Sequence, residues 1–385
     1  MRLGKKMGVV AAGAALALTL TACGGEGAGS GSGESPAAGD GGDDVKVGVA
    51  MPTETSERWI ADGNAVKEGL EKAGYQVDLQ YAGDDIPTQV NQVDGMITGG
   101  ADVLILAAID GTALTSQLEA AAAENIPVIS YDRLIRDSEN VDFYVTFDNY
   151  EVGVAQATAL LTGLGLTDAD GKPTGEKGPF NVELFAGSLD DNNAHFFWKG
   201  AMDTLKPFLD DGSLVVPSGQ TDIEQAATLR WLQETAQKRM EDLLTSTYSG
   251  DTKLDGVLSP YDGISRGIIT ALQNAGMGPT IDEGLPVVTG QDAEIGSVNL
   301  IQEGVQQSTI FKDTRLLADQ AVVAAQAFLD GEEPEANDTE TYDNGVKVVP
   351  SFLLPVVTIY QDNIKSELVD SGYWTQEEVD AGNAG

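Results

Sequence analysis

The apolar positions of this 385-residue chain come in short runs from Val45 onward. Each ends in a polar or glycine turn, and an amphipathic stretch of helical length usually follows. The runs are Val45–Met51, Val77–Tyr81, Val103–Ile109, Pro127–Tyr131, Phe143–Phe147, Asn181–Phe185, Leu214–Val216, Gly256–Ser259, Pro286–Thr289 and Ser308–Phe311. Helices are predicted over Arg58–Ala73, Thr88–Thr98, Thr112–Ala123, Glu151–Leu164, Asn193–Leu209, Glu224–Leu244, Ile264–Ala275 and Asp313–Leu329. Near-continuous apolar strands alternating with helices predict an α/β fold with parallel sheets covered on both faces. About ten strands in a chain of this length divide naturally into two doubly wound lobes.

The N-terminus reads differently. Arg2, Lys5 and Lys6 precede a mostly apolar run, Val9 to Leu20, and then Leu20-Thr21-Ala22-Cys23. A basic start, a short apolar core and small residues form a secretory signal over 1–22. The run is shorter than the ~20 residues that span hydrocarbon. The cysteine directly after the small residues matches a bacterial lipoprotein signal, in which Cys23 becomes the lipidated first residue. Residues 24–44, GGEGAGSGSGESPAAGDGGDD, carry almost no apolar content and read as a linker joining the lipidated Cys23 to the body. The body is therefore expected outside the cytoplasm, held to the membrane only through the lipid.

Charge narrows the class of partner. The chain has 22 Lys+Arg against 61 Asp+Glu. Its first 22 residues hold three of those cations and no acid, which leaves 19 against 61, a net of -42. Such a surface repels phosphate backbones, so nucleic acid is not an expected partner. Cys23 is the sole cysteine and His195 the sole histidine. Histidine-dependent triads and common zinc sites therefore have too few groups to form. No metal and no cofactor are expected. His195 opens a helix and reads as a surface or capping residue. Paired carboxylates for glycoside hydrolysis rank below binding. Asp168-x-Asp170-Gly171 resembles the start of a calcium loop, but the slot after the glycine is Lys172, so it reads as a solvated turn.

The polar residues collect at the C-terminal ends of the strands. Asp110, Asp132 with Arg133, Asp148, Asp191 with Asn192 and Asn193, Tyr261 with Asp262, Gln291 with Asp292, and Lys312 each follow an apolar run. Open α/β sheets bind ligands in the crevice outside those ends. A single Asp there is readily explained as a helix cap. Arg and Lys are not, because a cation at a helix N-terminus opposes the macrodipole. Carboxylates accept from hydroxyls, Arg and Lys donate to hydroxyl and ring oxygens, and Asn does both. Six Asp against three cations suit a neutral polyol better than a phosphate or dicarboxylate. Trp59, Trp231 and Tyr261 are candidates to cover the C–H face of a sugar ring, although a core role explains the tryptophans equally well.

Nine stretches in order carry a family resemblance: MPTETSERW (51–59), ISYDRLI (129–135), TFDNYEVG (146–153), GSLDDNNAHFF (187–197), TLRW (228–231), LSPYDG (258–263), VVTGQDAE (287–294), STIFKDT (308–314) and NGVKVVPSFLL (344–354). From Val45 onward the chain resembles the type I sugar-binding lipoproteins of ABC importers. It looks closest to their multiple-monosaccharide binders and more distantly to the xylose binders. The resemblance implies two doubly wound lobes joined by a three-stranded hinge, with 45–149 and 309–332 in the first lobe and 150–308 and 333–385 in the second. It implies that Arg58 and Trp59 bind and stack the sugar and that Asp132 and Arg133 hydrogen-bond its hydroxyls and ring oxygen. Asp191 and Asn193 would do so from the second lobe, with Trp231 opposite and Asp292 and Lys312 completing the set. Tyr261 stands where xylose binders have Asn, which implies a wider aldopentose and aldohexose range. Asp110, Asp148 and Asp262 are weaker candidates that cap helices or brace the others. The implied partners are a monosaccharide and an ABC permease, the implied state a monomer, and the implied mechanism closure of the lobes by population shift. A sugar sensor serving a chemoreceptor or kinase uses the same cleft. A transcription repressor core shares the lobes but needs a DNA-binding head where this chain has a signal and linker. A sugar-acting enzyme is the third alternative.

Overall fold

The computed structural model describes residues 45–384. The expected signal, lipidated Cys23 and linker lie outside them. In chain order the described residues form β1 (Lys46–Met51), α1 (Glu57–Lys72), β2 (Gln76–Tyr81), α2 (Ile86–Thr98), β3 (Val103–Leu106), α3 (Thr115–Ala123), β4 (Val128–Tyr131), β5 (Phe143–Phe147) and α4 (Asn149–Gly163). There follow β6 (Phe180–Leu184), α5 (Asn192–Asp210), β7 (Leu214–Val215), α6 (Ile223–Ala226), α7 (Gln233–Ser246), β8 (Gly256–Leu258) and α8 (Asp262–Asn274). The last are β9 (Val287–Val288), α9 (Ile295–Gln302), β10 (Thr309–Phe311), α10 (Thr314–Leu329), β11 (Ser351–Leu354), β12 (Val357–Ile359) and α11 (Gln376–Ala381).

Two parallel sheets organise these elements. The first has the order β11-β5-β4-β3-β1-β2 and the second β7-β6-β8-β9. In both, the first strand lies beside the second on one side and the third on the other. This reversal opens a crevice at the strand C-termini. The β1, β3, β4 and β5 strands are buried on both faces, which is why they read as apolar runs rather than alternating ones. One face of the first sheet packs on α1 and α10 through Val66, Leu70, Leu317 and Ala321. The other packs on α2 and α3 through Val93, Met96 and Leu118. The second sheet is covered by α4 and α5 through Leu160, Ala201 and Leu205, and by α7 and α8 through Met240, Ile264 and Ile268.

The chain passes between lobes after β5, after β10 and after β11. The 351–354 segment differs from the sequence expectation, which put everything after 332 in the second lobe. It is the edge strand of the first sheet, with Ser351–Leu354 paired in parallel to Tyr144–Phe147. The return crossing therefore falls at residues 354–357. Strand 309–311 also differs, because it belongs with the second lobe. It pairs antiparallel with β12, and the Ile310 and Asp292 amides exchange bonds with Gly290 and Ile310 carbonyls at 3.2 and 2.9 Å. The α10 helix that follows does pack on the first sheet. The tail after β12 packs Ile364, Leu368 and Val379 against α9 of the second lobe.

The expected helix 224–244 is broken. The α6 turn ends at Ala226, a tight turn closed by the Leu232 amide on the Leu229 carbonyl at 3.2 Å follows, and α7 begins at Gln233. Arg230 and Trp231 both take left-handed φ, 55° and 58°.

Helices α4 and α5 cross at glycine contacts. A Cβ on Gly153 would lie 2.0 Å from the Phe197 carbonyl oxygen, and one on Gly200 2.1 Å from that of Tyr150. Because both obstacles are backbone, a methyl must push the helices apart. Gly200→Ala is expected to lower unfolding free energy by about 1–3 kcal/mol in a denaturant titration. A change below about 0.5 kcal/mol, the range of an ordinary surface substitution, would contradict this packing.

Candidate functional site

The loops at the strand C-termini of both lobes face one another across a cavity of about 330 Å³. This lies at the small end of small-molecule sites. Ten of the residues singled out from sequence line it: Arg58, Trp59, Asp132, Arg133, Asp191, Asn193, Trp231, Tyr261, Asp292 and Lys312.

Arg58, on the first turn of α1, is buried among three carboxylates. Its Nε donates to Asp62 Oδ2 at 3.0 Å, its Nη2 to Asp132 Oδ1, and its Nη1 lies 3.7 Å from Asp292 Oδ1. Asp62 stands four residues along the same helix, on the same face. Asp292 belongs to the second lobe and also takes Lys312 Nζ at 2.9 Å. Asp132 and Asp292 have left-handed φ of 60° and 91°. Asp tolerates that region better than most side chains.

A second pair joins the lobes directly: Arg133 Nε lies 3.1 Å from Asp191 Oδ2. Asp191 also caps α5 by accepting from the Asn193 amide at 2.9 Å. Asn193 Nδ2 donates to the Asp132 carbonyl at 2.8 Å, while its Oδ1 accepts from Tyr144 Oη at 2.9 Å. Trp59 lies beneath both guanidinium groups, with Arg58 and Arg133 4.7 and 5.0 Å from the ring centre. Such cation–π contacts hold a charge over an aromatic face while leaving its N–H groups free to bond. Trp231 meets Phe197 and Tyr261 edge-on at 6.3 and 6.2 Å.

Burial and pairing set the protonation states. Burial opposes charge on Asp132, but Arg58 and Lys312 override it and hold that carboxyl below its usual range. Burial likewise opposes the Arg58 charge, and Asp132, Asp62 and Asp292 reverse it. At Asp62 burial wins over Arg58 and the hydrogen bond from Tyr131, raising the carboxyl from 3.8 to about 6. Burial also raises Asp191 against the opposing effects of Arg133 and the Asn193 amide.

Three expected residues are not at the cavity. Asp110 accepts from the amide and hydroxyl of Thr112, both at 2.8 Å, which closes the turn before α3. Asp148 caps α4 by accepting from the Glu151 amide at 3.0 Å. Asp262 is fully buried behind the site, accepting from Gln306 Nε2, Thr309 Oγ1 and the Glu294 amide at 2.9, 3.0 and 2.9 Å. Capping and bracing account for all three. His195 is exposed on α5, its Nε2 3.3 Å from the Leu189 carbonyl.

Sequence reasoning missed several groups. Asp62 could have been found from the Arg58–Asp62 spacing on a helix. Gln291 lines the cavity and was seen only as a strand-end residue. Glu294, also missed, organises one rim. It accepts from Ser56 Oγ of the first lobe at 2.8 Å, from Tyr261 Oη at 2.7 Å and from Arg266 Nη2 at 2.6 Å.

The model of the periplasmic binding protein domain family matches residues 47–333. The chain is 54% identical over 333 residues to the multiple sugar-binding periplasmic receptor ChvE of Rhizobium radiobacter, covering 86% of this chain and 92% of that protein. It is 35% identical over 336 residues to the D-xylose-binding periplasmic protein of Escherichia coli, covering 87% and 93%. Among solved structures it is similar to an ABC transporter solute binding protein from Clostridium phytofermentans with bound β-D-glucose. That similarity has a TM-score of 0.81 and 45% identity, covering 87% of this chain and 99% of that one. The two-lobed α/β architecture, the shared cavity and these matches together make the chain a member of the periplasmic binding protein family with the type I fold, akin to sugar-binding receptors rather than to enzymes.

Proposed function

We propose that this protein captures a neutral monosaccharide between its lobes and delivers it to an ABC permease, tethered to the outer face of the cell membrane through a lipidated Cys23. The observation that carries this reading is that every cation in the first ring of the cavity already has a carboxylate. Arg58 is matched by Asp62 and Asp132, Arg133 by Asp191, Arg230 by Asp190, Arg266 by Glu294, and Lys312 by Asp292. No positive surplus remains to attract an anion. The remaining lone pairs and N–H groups, set beside aromatic planes, suit hydroxyls and C–H faces. The sugar-binding names of the relatives, and the β-D-glucose in the similar structure, point to the same class.

Capture follows from geometry. Arg58, Asp132 and Arg133 stand on one lobe and Asp191, Asn193, Asp292 and Lys312 on the other. A sugar touching both sets bonds fully only when they are close, so its binding energy shifts the population toward the closed arrangement. The carboxylate pairs hold the donors in place beforehand, which lowers the ordering needed on binding. Tyr261, in place of the xylose binders' Asn, is compatible with both aldopentoses and aldohexoses. A lipid anchor would keep the receptor near its permease, and two acyl chains hold more firmly than one.

Two outcomes are expected. Isothermal titration with D-glucose, D-galactose, L-arabinose and D-xylose should give micromolar or tighter binding to at least one, and Arg133→Ala should weaken it by at least about 100-fold. Silence with every sugar would reject the proposal, and unchanged affinity in the variant would reject the role of Arg133. The second outcome concerns pH. Folded Asp62 keeps its proton to about 6, whereas unfolded Asp loses it near 3.9. Between those values the folded state binds the extra proton, so this group's contribution to stability falls as pH rises, by about 3 kcal/mol in all. Unfolding free energies measured from pH 4 to 7 should therefore decline more steeply in the native protein than in Asp62→Asn. Parallel curves would contradict it.

A further inference from the structure

The turn that carries Trp231 holds features with no return inside the protein. Arg230 and Trp231 sit consecutively at φ 55° and 58°. A left-handed conformation is costly for a residue with a side chain. The Trp231 indole Nε1 is buried without a hydrogen-bond partner among the described residues, a further penalty. Strain of this kind persists where the surroundings enforce it, and it gathers at binding sites. By contrast, the left-handed Asp132 is repaid by its ion pair to Arg58.

The surroundings that enforce it centre on Gly187. The Thr228 amide donates to the Gly187 carbonyl at 3.2 Å, and the Arg230 amide donates to Ser188 Oγ at 2.8 Å. These bonds bring the turn down on the strand-end loop after β6. The indole then occupies the space where a side chain of residue 187 would go. A Cβ there would stand 2.0, 2.3 and 2.5 Å from Trp231 Cη2, Cζ2 and Cζ3. Phe197 and Tyr261 flank the same ring edge-on, so it has little freedom to yield.

We infer that Gly187 is a positioning residue for the sugar site: its missing side chain forms the seat that lets the strained 228–231 turn lay the Trp231 indole on the second-lobe wall of the cavity. The inference rests on the proposed sugar-binding role and adds a specificity determinant outside the cavity lining. With any larger residue at 187 the ring must swing away, and the wall facing the sugar changes shape.

Five proteins test it: the native chain, Gly187→Ala, Trp231→Phe, Trp231→Ala and Gly187→Ala/Trp231→Ala. Two readouts are used, near-ultraviolet circular dichroism without ligand and titration calorimetry with D-glucose and D-xylose. The dichroism band that distinguishes the native protein from Trp231→Phe should be lost in Gly187→Ala, with the far-ultraviolet spectrum retained. Sugar affinity should fall at least about 10-fold in Gly187→Ala. In the Trp231→Ala background the added Gly187→Ala should change affinity less than 2-fold, since the two positions act as one unit. A native Trp231 band in Gly187→Ala overturns the inference, and so does an affinity loss of equal size in both backgrounds. Failure of the native chain to bind any of the four sugars titrated above overturns the functional reading instead, and the dichroism comparison still decides the seat. If Gly187→Ala alone does not fold, a folded double variant supports the inference and an unfolded one overturns it.

Discussion

One buried guanidinium organises this protein. Arg58 is taken out of water at the mouth of the first sheet, and an unpaired charge in that position would cost several kcal/mol. Its partners come from three places: Asp62 on its own helix, Asp132 on the loop after β4, and Asp292 on the loop after β9 of the other lobe. Satisfying one charge therefore sets one helix and two loops in register and fixes carboxylates that would otherwise repel. Lys312 extends the same chain of charge to the strand that leads back into α10. The arrangement is a wall of oriented donors and acceptors with little net charge, which is what recognition of an uncharged polyol requires.

The two lobes meet through the same chemistry. Arg133 with Asp191, Ser56 with Glu294, and Asn193 with the Asp132 carbonyl all join side chains of one lobe to the other. Each of these groups also lines or borders the cavity. In the proposed capture, a ligand there adds bonds to both lobes and so biases their closure. The chain crosses between the lobes at three points, after β5, β10 and β11, and the glycine crossing packs α4 directly against the backbone of α5.

Much of this was readable before any coordinates. Parallel strands buried on both faces leave unbroken apolar runs, so the ten expected strands stand where the runs are. Most of the polar residues after them face the crevice, and ten of the thirteen candidate site residues line the cavity. The exceptions have local causes. Asp110 and Asp148 satisfy nearby amides, and Asp262 faces inward to Gln306 and Thr309. What sequence hid was conformation without composition. Nothing in TLRW announces two left-handed residues in a row, so the pattern read as one long helix. SFLLPVVTI carries no helix before it to mark a new unit, so β11 and the return crossing at 354–357 were assigned to the wrong lobe. Glu294 acts through partners from three segments, and no spacing rule brings those together.

The most direct measurement is a crystal structure of the protein grown with D-glucose. The account requires the sugar ring to lie between the lobes, with hydroxyls bonded to members of both the Arg58–Asp132–Arg133 set and the Asp191–Asn193–Asp292 set. Sugar bound to one lobe alone, or at a surface away from this cavity, would contradict it.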